Sequence, residues 1–133
     1  MVKKRWTLET PDSQVAQFRA KALQYLKAMN LSYDSRLWDA AVSNAVHAVI
    51  LMANAVTGRK VGQYYADKDH SQAPEYLKEV MGSDASAAKE QMSQVLALKA
   101  LVEYEARGCR QKDASGAIKR VERFFSWAVK QFP

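Results

Sequence analysis

The 133-residue sequence predicts an all-α protein, a mostly antiparallel bundle of four long helices and one short helix. Three observations favour this fold class. Apolar residues recur at helical spacing along every long segment, and recognisable capping and stop residues separate the segments. No stretch shows the strict alternation, the β-branched enrichment or the paired turn residues that are typical of a β-sheet.

The first predicted helix begins at Thr10-Pro11 and ends near Asn30. Threonine is a common capping residue, and proline is well suited to the first helical position. The preceding residues, 1–9, are basic and are expected to form a flexible N-terminal segment of the single domain that spans residues 1–133.

The second predicted helix, from Asp34 to Thr57, is expected to be the central helix of the bundle. It has no internal Gly or Pro, and at about 100° per residue its apolar residues cover more than half of its circumference. Asp34 is expected to cap its start, and Gly58 to end it in the left-handed conformation. Asn44 lies inside the apolar arc, where an unpaired amide costs free energy.

The next segment, residues 59–68, has no clear period and is predicted to be the long loop of the chain. Loops of this length are often functional. Asp69 or Ser71 can then cap a short helix with Pro74 in its first turn.

Two further helices complete the predicted bundle, one over about residues 84–106 and one from Asp113 to Phe132. Asp113 is expected to cap the last helix. The basic side chains of that helix form either a phosphate-facing side or an ordinary solvated face. They are Lys119, Arg120, Arg123 and Lys130.

Composition predicts a soluble cytoplasmic protein. The net charge of +6 fits either contact with a polyanion such as nucleic acid or solubility alone. The single cysteine, Cys109, fits a reducing compartment. The neighbouring Arg107 and Arg110 are able to lower its pKa, but no helix start or histidine is obviously directed at it. The start of the chain leads into no apolar signal core, and the longest apolar run, Ala45–Val56, is about half as long as a membrane span.

Known catalytic and cofactor patterns do not match this chain. The two histidines, His47 and His70, form no zinc-binding spacing with Cys109. The sequence has no glycine-rich phosphate loop and no Gly-x-Ser-x-Gly elbow. We therefore expect no metal and no cofactor.

Three groups of polar residues do not fit a simple division into core and surface. They are Ser43, Asn44 and His47 on the second helix, Asp69 and His70 at the start of the short helix, and Lys99 and Glu103 on the fourth helix. A helix start favours anions, and the i,i+4 spacing of the last pair allows each charge to partner the other. If the bundle brings these elements together, the three groups line one cleft.

Each group also has a purely structural interpretation. Asn44 can fix the register of its helix, His47 can form a hydrogen bond across the bundle, and Asp69 can be only a helix cap. Lys99 and Glu103 can lie at the edge of the core with their charged ends in solvent.

Several of these segments are similar to segments of small bacterial HEPN-domain proteins (higher eukaryotes and prokaryotes nucleotide-binding). The similarity covers about residues 34–132 and rests on Ser43–Ala48, a glycine-bounded loop with Arg59, Asp69–Ala73, Leu98–Tyr104 and Ala117–Trp127 with its late aromatic residues. It implies a bundle of four or five helices that is usually dimeric. It also implies one of three roles: an RNA-cleaving toxin, a partner of a nucleotidyltransferase antitoxin, or a non-catalytic nucleotide- or RNA-binding module.

The ribonucleases of that family carry an arginine that is followed by four to six residues and then a histidine. In this chain the nearest preceding arginine lies eleven positions before each histidine, Arg36 before His47 and Arg59 before His70. This departure argues against nuclease activity. Ligand binding and association with a protein partner remain as the possible functions.

We therefore predict a non-catalytic binding module that acts as a homodimer or beside a nucleotidyltransferase-like protein, in a toxin–antitoxin or nucleotidyltransferase-linked system. Its expected ligand is a nucleotide or RNA, and no membrane partner is expected. The expected ligand-binding residues are Ser43, Asn44, His47, Arg59, Asp69, His70, Lys99 and Glu103.

Two alternatives remain open at this point. The first is a metal-independent ribonuclease with His47 or His70 as general base and Arg59 or Arg107 stabilising negative charge. The second is a pure protein-interaction module that buries an exposed aromatic patch against its partner. That patch consists of Tyr64, Tyr65 and Tyr76.

Overall fold

The computed structural model describes residues 6–132 and confirms the all-α fold class. Single turns of 3-10 helix at His70–Gln72 and Ser83–Ala85 precede the third and fourth α-helices. In chain order the elements are β1 (Thr7–Glu9), α1 (Asp12–Asp34), α2 (Trp38–Val61), β2 (Gln63–Tyr65), α3 (Ala73–Met81), α4 (Ser86–Leu96), α5 (Lys99–Tyr104) and α6 (Gln111–Val129).

Helix α2 is the central helix, as its apolar circumference predicts. It packs against α1, α6, β2, α3, α4 and α5. By length and composition α2 is able to cross a membrane, with a mean hydropathy of 1.5 over 18 residues, but 61% of that window is buried inside the protein. The apolar character of α2 is therefore explained by its position as the core helix of the bundle.

The turn between α1 and α2 lies several residues after its predicted position. Helix α1 continues to Asp34, so this residue ends α1 and does not cap α2. The chain reverses at Ser35–Leu37, where Arg36 has a positive φ of 61°. The turn contains neither Gly nor Pro, the strongest sequence signals for a turn, which explains why the sequence pattern placed it too early.

Gly58 does not end α2, because the helix continues to Val61 and Gly62 takes the left-handed conformation with φ 72°. The reason for glycine at 58 is a close approach. A Cβ at this position would lie 2.7 Å from Cγ2 of Thr10. The Thr10 N–H also donates to the Gly62 carbonyl at 2.8 Å, so the start of α1 is held against the end of α2.

Two short antiparallel strands were not predicted. Strand β1 pairs with β2, with Leu8 opposite Tyr64, and three-residue strands are too short to show an alternating pattern. Of the predicted flexible segment 1–9, residues 1–5 lie outside the described residues, whereas Thr7–Glu9 form β1. Strand β2 packs on α2 and leads the chain back towards His47.

The last three helices also differ from the predicted pattern. The fourth predicted helix is divided at Ala97 and Leu98 into α4 and α5, because the Leu98 N–H donates to Val95 O, only three residues back. Helix α6 begins before Asp113, whose carboxylate accepts a hydrogen bond from the Arg110 N–H at 2.8 Å. Asp113 thus stabilises the first turn from inside the helix and is not its N-cap.

Candidate functional site

Lys99, the first residue of α5, lies between two adjacent surface depressions that we together call the Lys99 groove. The smaller depression, of about 170 Å³ including open solvent, is also lined by Ser43, Val46, His47, Val102 and Glu103. The larger, of about 780 Å³, is also lined by Lys68, Asp69, His70, Ser71, Leu96, Ala100 and Tyr104. The structure thus brings together six of the eight candidate residues, and Asn44 and Arg59 are the exceptions.

His47 is exposed on the α2 side of the groove. Its Nδ1–H donates to the carbonyl of Ser43 at 2.8 Å, since a carbonyl oxygen can only accept. The imidazole also stacks on the ring of Tyr25 in α1, with centroids 5.0 Å apart and an interplanar angle of 16°. The ring is therefore fixed in orientation, and its Nε2 remains available for a ligand.

His70 lies at the boundary of the groove and is partly buried. Its Nδ1 is enclosed and has no hydrogen-bond partner within the described residues. Burial lowers the pKa of His70, the Lys99 charge lowers it further, and Asp69 opposes both effects. An enclosed nitrogen without a partner costs free energy, and a ligand that supplies a hydrogen bond would remove this cost.

Asp69 caps the turn of 3-10 helix at His70–Gln72, in agreement with its structural interpretation. Its carboxylate accepts the Ser71 N–H at 3.0 Å, and this bond is the main reason why the pKa of Asp69 is lowered. The Asp69 N–H in turn donates to Asp67 at 3.0 Å, and the Tyr65 hydroxyl donates to the Asp69 carbonyl at 3.2 Å. These bonds hold the loop after β2 in place, and Asp69 occupies one N–H group that an anion would need.

Lys99 is half-buried and Glu103 is exposed. Both line the smaller depression, but within residues 6–132 they form no ion pair with each other, although their spacing suggested one. The ammonium group of Lys99 therefore contributes its charge to both depressions. That charge is one cause of the lowered pKa of His70.

Asn44 lies outside the groove and faces α1. Its Nδ2 donates to the Ser32 hydroxyl at 3.2 Å, so the amide joins α1 to α2 from a half-buried position. This contact satisfies the polar group that the apolar arc of α2 left without an obvious partner. The structural interpretation of Asn44 agrees with this geometry.

Arg59 lies twelve residues after His47 on α2, about 18 Å further along the helix axis. It lines a different depression with Lys60, and its guanidinium lies 5.9 Å from the ring centroid of Phe132. Arg107 is engaged elsewhere, with Asp113 at 3.5 Å. Neither arginine lines the groove that contains the two histidines, which the ribonuclease alternative required.

The proposed aromatic patch is not exposed. Tyr65 and Tyr76 are buried, and their hydroxyls donate to the carbonyls of Asp69 and Gln63. Tyr64 packs edge-on against Phe18, with ring centroids 4.9 Å apart. These rings belong to the packing of β2, which removes the observation on which the interaction-module alternative rested.

Tyr104, a residue not singled out from the sequence, has the most exposed large hydrophobic side chain of the described groove residues. It is 79% exposed and lines the larger depression with Lys68 and Leu96. Its presence in the segment Leu98–Tyr104 was the only available signal.

Cys109 is buried outside the groove, and its environment raises its pKa, whereas the neighbouring arginines alone would lower it. Burial is the largest of the effects that together raise its pKa to about 12; the hydrogen bond and the charge of Asp39 contribute to the rise, and Arg107 opposes it. Asp39 also accepts the Cys109 N–H at 2.6 Å. Within residues 6–132, no cluster of His, Cys, Asp and Glu is able to hold a metal ion.

Comparison with known proteins gives one match. The family model of the HEPN domain matches residues 15–132, which include both depressions and all helices except the first turn of α1. The chain belongs to the HEPN domain family. This finding confirms the resemblance, and HEPN domains as a family are nucleotide-binding and ribonuclease-like modules. No curated protein and no solved structure matches this HEPN domain significantly.

Proposed function

We propose that this HEPN domain is a non-catalytic binding module that takes a nucleotide in the Lys99 groove. One observation carries the proposal. Lys99 lines the same depression as His70, whose enclosed Nδ1 has no hydrogen-bond partner within the described residues. A cation next to an unsatisfied hydrogen-bonding group is suited to a polar, anionic ligand. The proposal includes a cytoplasmic location for the protein.

Different parts of a nucleotide would find suitable partners in the groove. Lys99 and Lys68 offer positive charge to phosphate groups. His47 and His70 offer ring nitrogens for hydrogen bonds, and Tyr104 offers an exposed aromatic face on which a base can stack.

Two features support binding without catalysis. The chain lacks the Arg-x4–6-His arrangement of the family's ribonucleases, and its nearest alternatives, Arg59 and Arg107, are not placed beside the groove histidines. A phosphodiester cleavage needs a base and a stabiliser of negative charge at the same phosphate. The groove supplies two histidines and two lysines for binding, and none of the arginines that the structure describes lines it.

Thermal-shift and calorimetric titrations with purine and pyrimidine nucleotides test the proposal. The wild-type protein should be stabilised by at least one nucleotide, and Lys99→Ala should remove most of the shift while leaving the unliganded melting temperature nearly unchanged. Lys60→Ala, at the far end of α2, is the matched control because it removes one exposed lysine outside the groove. Equal shifts in both variants, or no shift in the wild type, would refute the proposal.

We also propose that the module forms a homodimer and works beside a nucleotidyltransferase-like protein. The first part is supported by exposed apolar side chains on α1, among them Leu23 and Leu31, which a second copy would cover. Light scattering coupled to size exclusion would detect the dimer. A monomer at high protein concentration would contradict it.

A further inference from the structure

The exposed face of α6 carries a row of cations that the Lys99 groove does not use. Lys112, Lys119, Arg123 and Lys130 are all exposed, the last of them in the turn that follows the helix. At about 100° per residue the four positions fall within an arc of about 40°. They span about 27 Å along the axis, and we call this row the basic ridge.

The side chains of the basic ridge are not paired with acidic groups in the part of the chain that the structure describes. None of its four side chains forms an ion pair within residues 6–132, and the nearest acidic residue on the helix, Glu122, lies about 60° around the axis from Lys119. Arg120, which the sequence suggested for the same side, instead turns towards α4 and donates to Gln91 at 3.4 Å. The charge of the ridge is therefore directed at solvent.

Gly116 lies in the same row, between Lys112 and Lys119, and the fold does not require a glycine there. A Cβ at this position would meet no atom of the described residues within 4 Å, and its φ is not positive. Glycine weakens the interior of a helix relative to alanine. Ser126, a second small residue, lies between Arg123 and Lys130. Small residues in the row allow an external partner to approach the helix backbone closely.

We propose that the basic ridge binds the phosphate backbone of duplex DNA. Four unpaired cations in a straight row complement a regular polyanion, and the major groove of B-DNA, about 12 Å wide, admits an α-helix. Nucleic acid also matches the positive balance of the whole chain, +6. This surface is separate from the Lys99 groove, so the inference is independent of the proposed nucleotide site.

Other partners fit the ridge less well. The row holds no large apolar side chain to insert into a membrane and no aromatic anchor of the kind that dominates protein interfaces. It has no aromatic ring on which single-stranded bases could stack. The major groove of duplex RNA is too narrow to admit a helix.

Fluorescence anisotropy with a mixed-sequence DNA duplex of about 20 base pairs tests this inference, because the ridge covers about 8 base pairs. The wild-type protein should bind with a salt slope near −3.6 if all four cations contact phosphates, since each contributes about −0.9. The double variant Lys119→Gln/Arg123→Gln should bind at least about tenfold more weakly and reduce the slope by about 2.

Two further variants separate the ridge from net charge. Lys21→Gln/Lys27→Gln removes two exposed lysines from α1 and should leave affinity and slope nearly unchanged. Gly116→Gln keeps the charge but obstructs the approach to the helix, so it should weaken binding without lowering the melting temperature. Equal weakening by the two double variants, absence of DNA binding by the wild type at low salt, or tighter binding to duplex RNA would each overturn the inference.

Discussion

At the scale of single residues, the two histidines of the Lys99 groove have different environments. His47 is exposed and fixed by Ser43 and Tyr25, whereas His70 is partly buried beside the charge of Lys99. Burial and a neighbouring cation both disfavour the protonated imidazole. His70 is therefore kept neutral at physiological pH, which suits a group that accepts or donates a single hydrogen bond to a ligand.

The lowered pKa of His70 predicts a loss of stability in acid. Because the folded-state pKa lies below the ordinary value of 6.5, the unfolded chain binds a proton first, and stability should fall as the pH drops below that value. Well above pH 6.5 the histidine is neutral in both the folded and the unfolded chain, so this loss of stability is absent. Urea unfolding at about pH 7.5 and about pH 5 should show a smaller acid-induced loss in His70→Gln than in the wild type.

The second cause of the shift provides the control for this experiment. Burial is the larger effect and the charge of Lys99 the next, so Lys99→Gln should also reduce the acid-induced loss, but by less than His70→Gln. If the wild type and His70→Gln lose the same stability on acidification, the titration of His70 is not coupled to folding. A larger acid-induced loss of stability in Lys99→Gln than in the wild type would show that the charge of Lys99 does not lower the pKa of His70.

At the scale of elements, two glycines inside helices have opposite roles. Gly58 of α2 faces Thr10, whose Cγ2 would lie 2.7 Å from an added Cβ, whereas Gly116 of α6 faces open space within the described residues. Helix propensity alone favours alanine at both sites. The difference between them is tertiary, because only Gly58 permits the start of α1 to approach the end of α2.

Alanine substitution should therefore change stability in opposite directions. Gly58→Ala should lower the free energy of unfolding by about 1–3 kcal/mol through overpacking against Thr10. Gly116→Ala should raise it by about 0.5–1 kcal/mol through helix propensity. Urea denaturation measures both, and Thr10→Ser combined with Gly58→Ala should recover part of the loss. A stabilised Gly58→Ala variant would show that the contact yields easily.

The elements that the sequence predicted well are those whose pattern extends over several turns. The apolar circumference of α2 and the apolar stripe of α6 identify long helices without ambiguity. The strands β1 and β2 are too short to carry a period. The break at Ala97 and Leu98 contains neither Gly nor Pro, so nothing local indicates that one helix becomes two.

At the scale of the whole molecule, the Lys99 groove depends on contacts that join distant parts of the chain. The residue types were recognisable from sequence for Ser43, His47 and Lys99, because polar side chains interrupted apolar faces there. The sequence does not show which of these residues lie together in the fold. That depends on how α5 and the segment after β2 pack against α2. The exclusion of Arg59 follows from the same packing, because the end of α2 lies far from the groove.

The small β1–β2 ladder therefore connects the N-terminal part of the chain to the loop that carries Asp69 and His70. The Thr10 N–H donates to Gly62 O, and the Ala66 N–H donates to Trp6 O. Because hydrogen-bonded pairs alternate in an antiparallel ladder, Leu8 and Tyr64 form the hydrogen-bonded pair between these two contacts.

Leu8→Pro should consequently loosen the groove without unfolding the bundle. Proline removes the N–H of the central pair, so the ladder should open and the amides of residues 64–70 should exchange hydrogen faster than in the wild type. The core amides of α2 and α6 should keep their protection, because α1, α2 and α6 pack on each other independently of β1. Leu8→Ala, which retains the backbone donor, is the matched control. Unchanged exchange at residues 64–70 in Leu8→Pro would mean that the buried Tyr65 and Tyr76 hold the loop without help from the ladder.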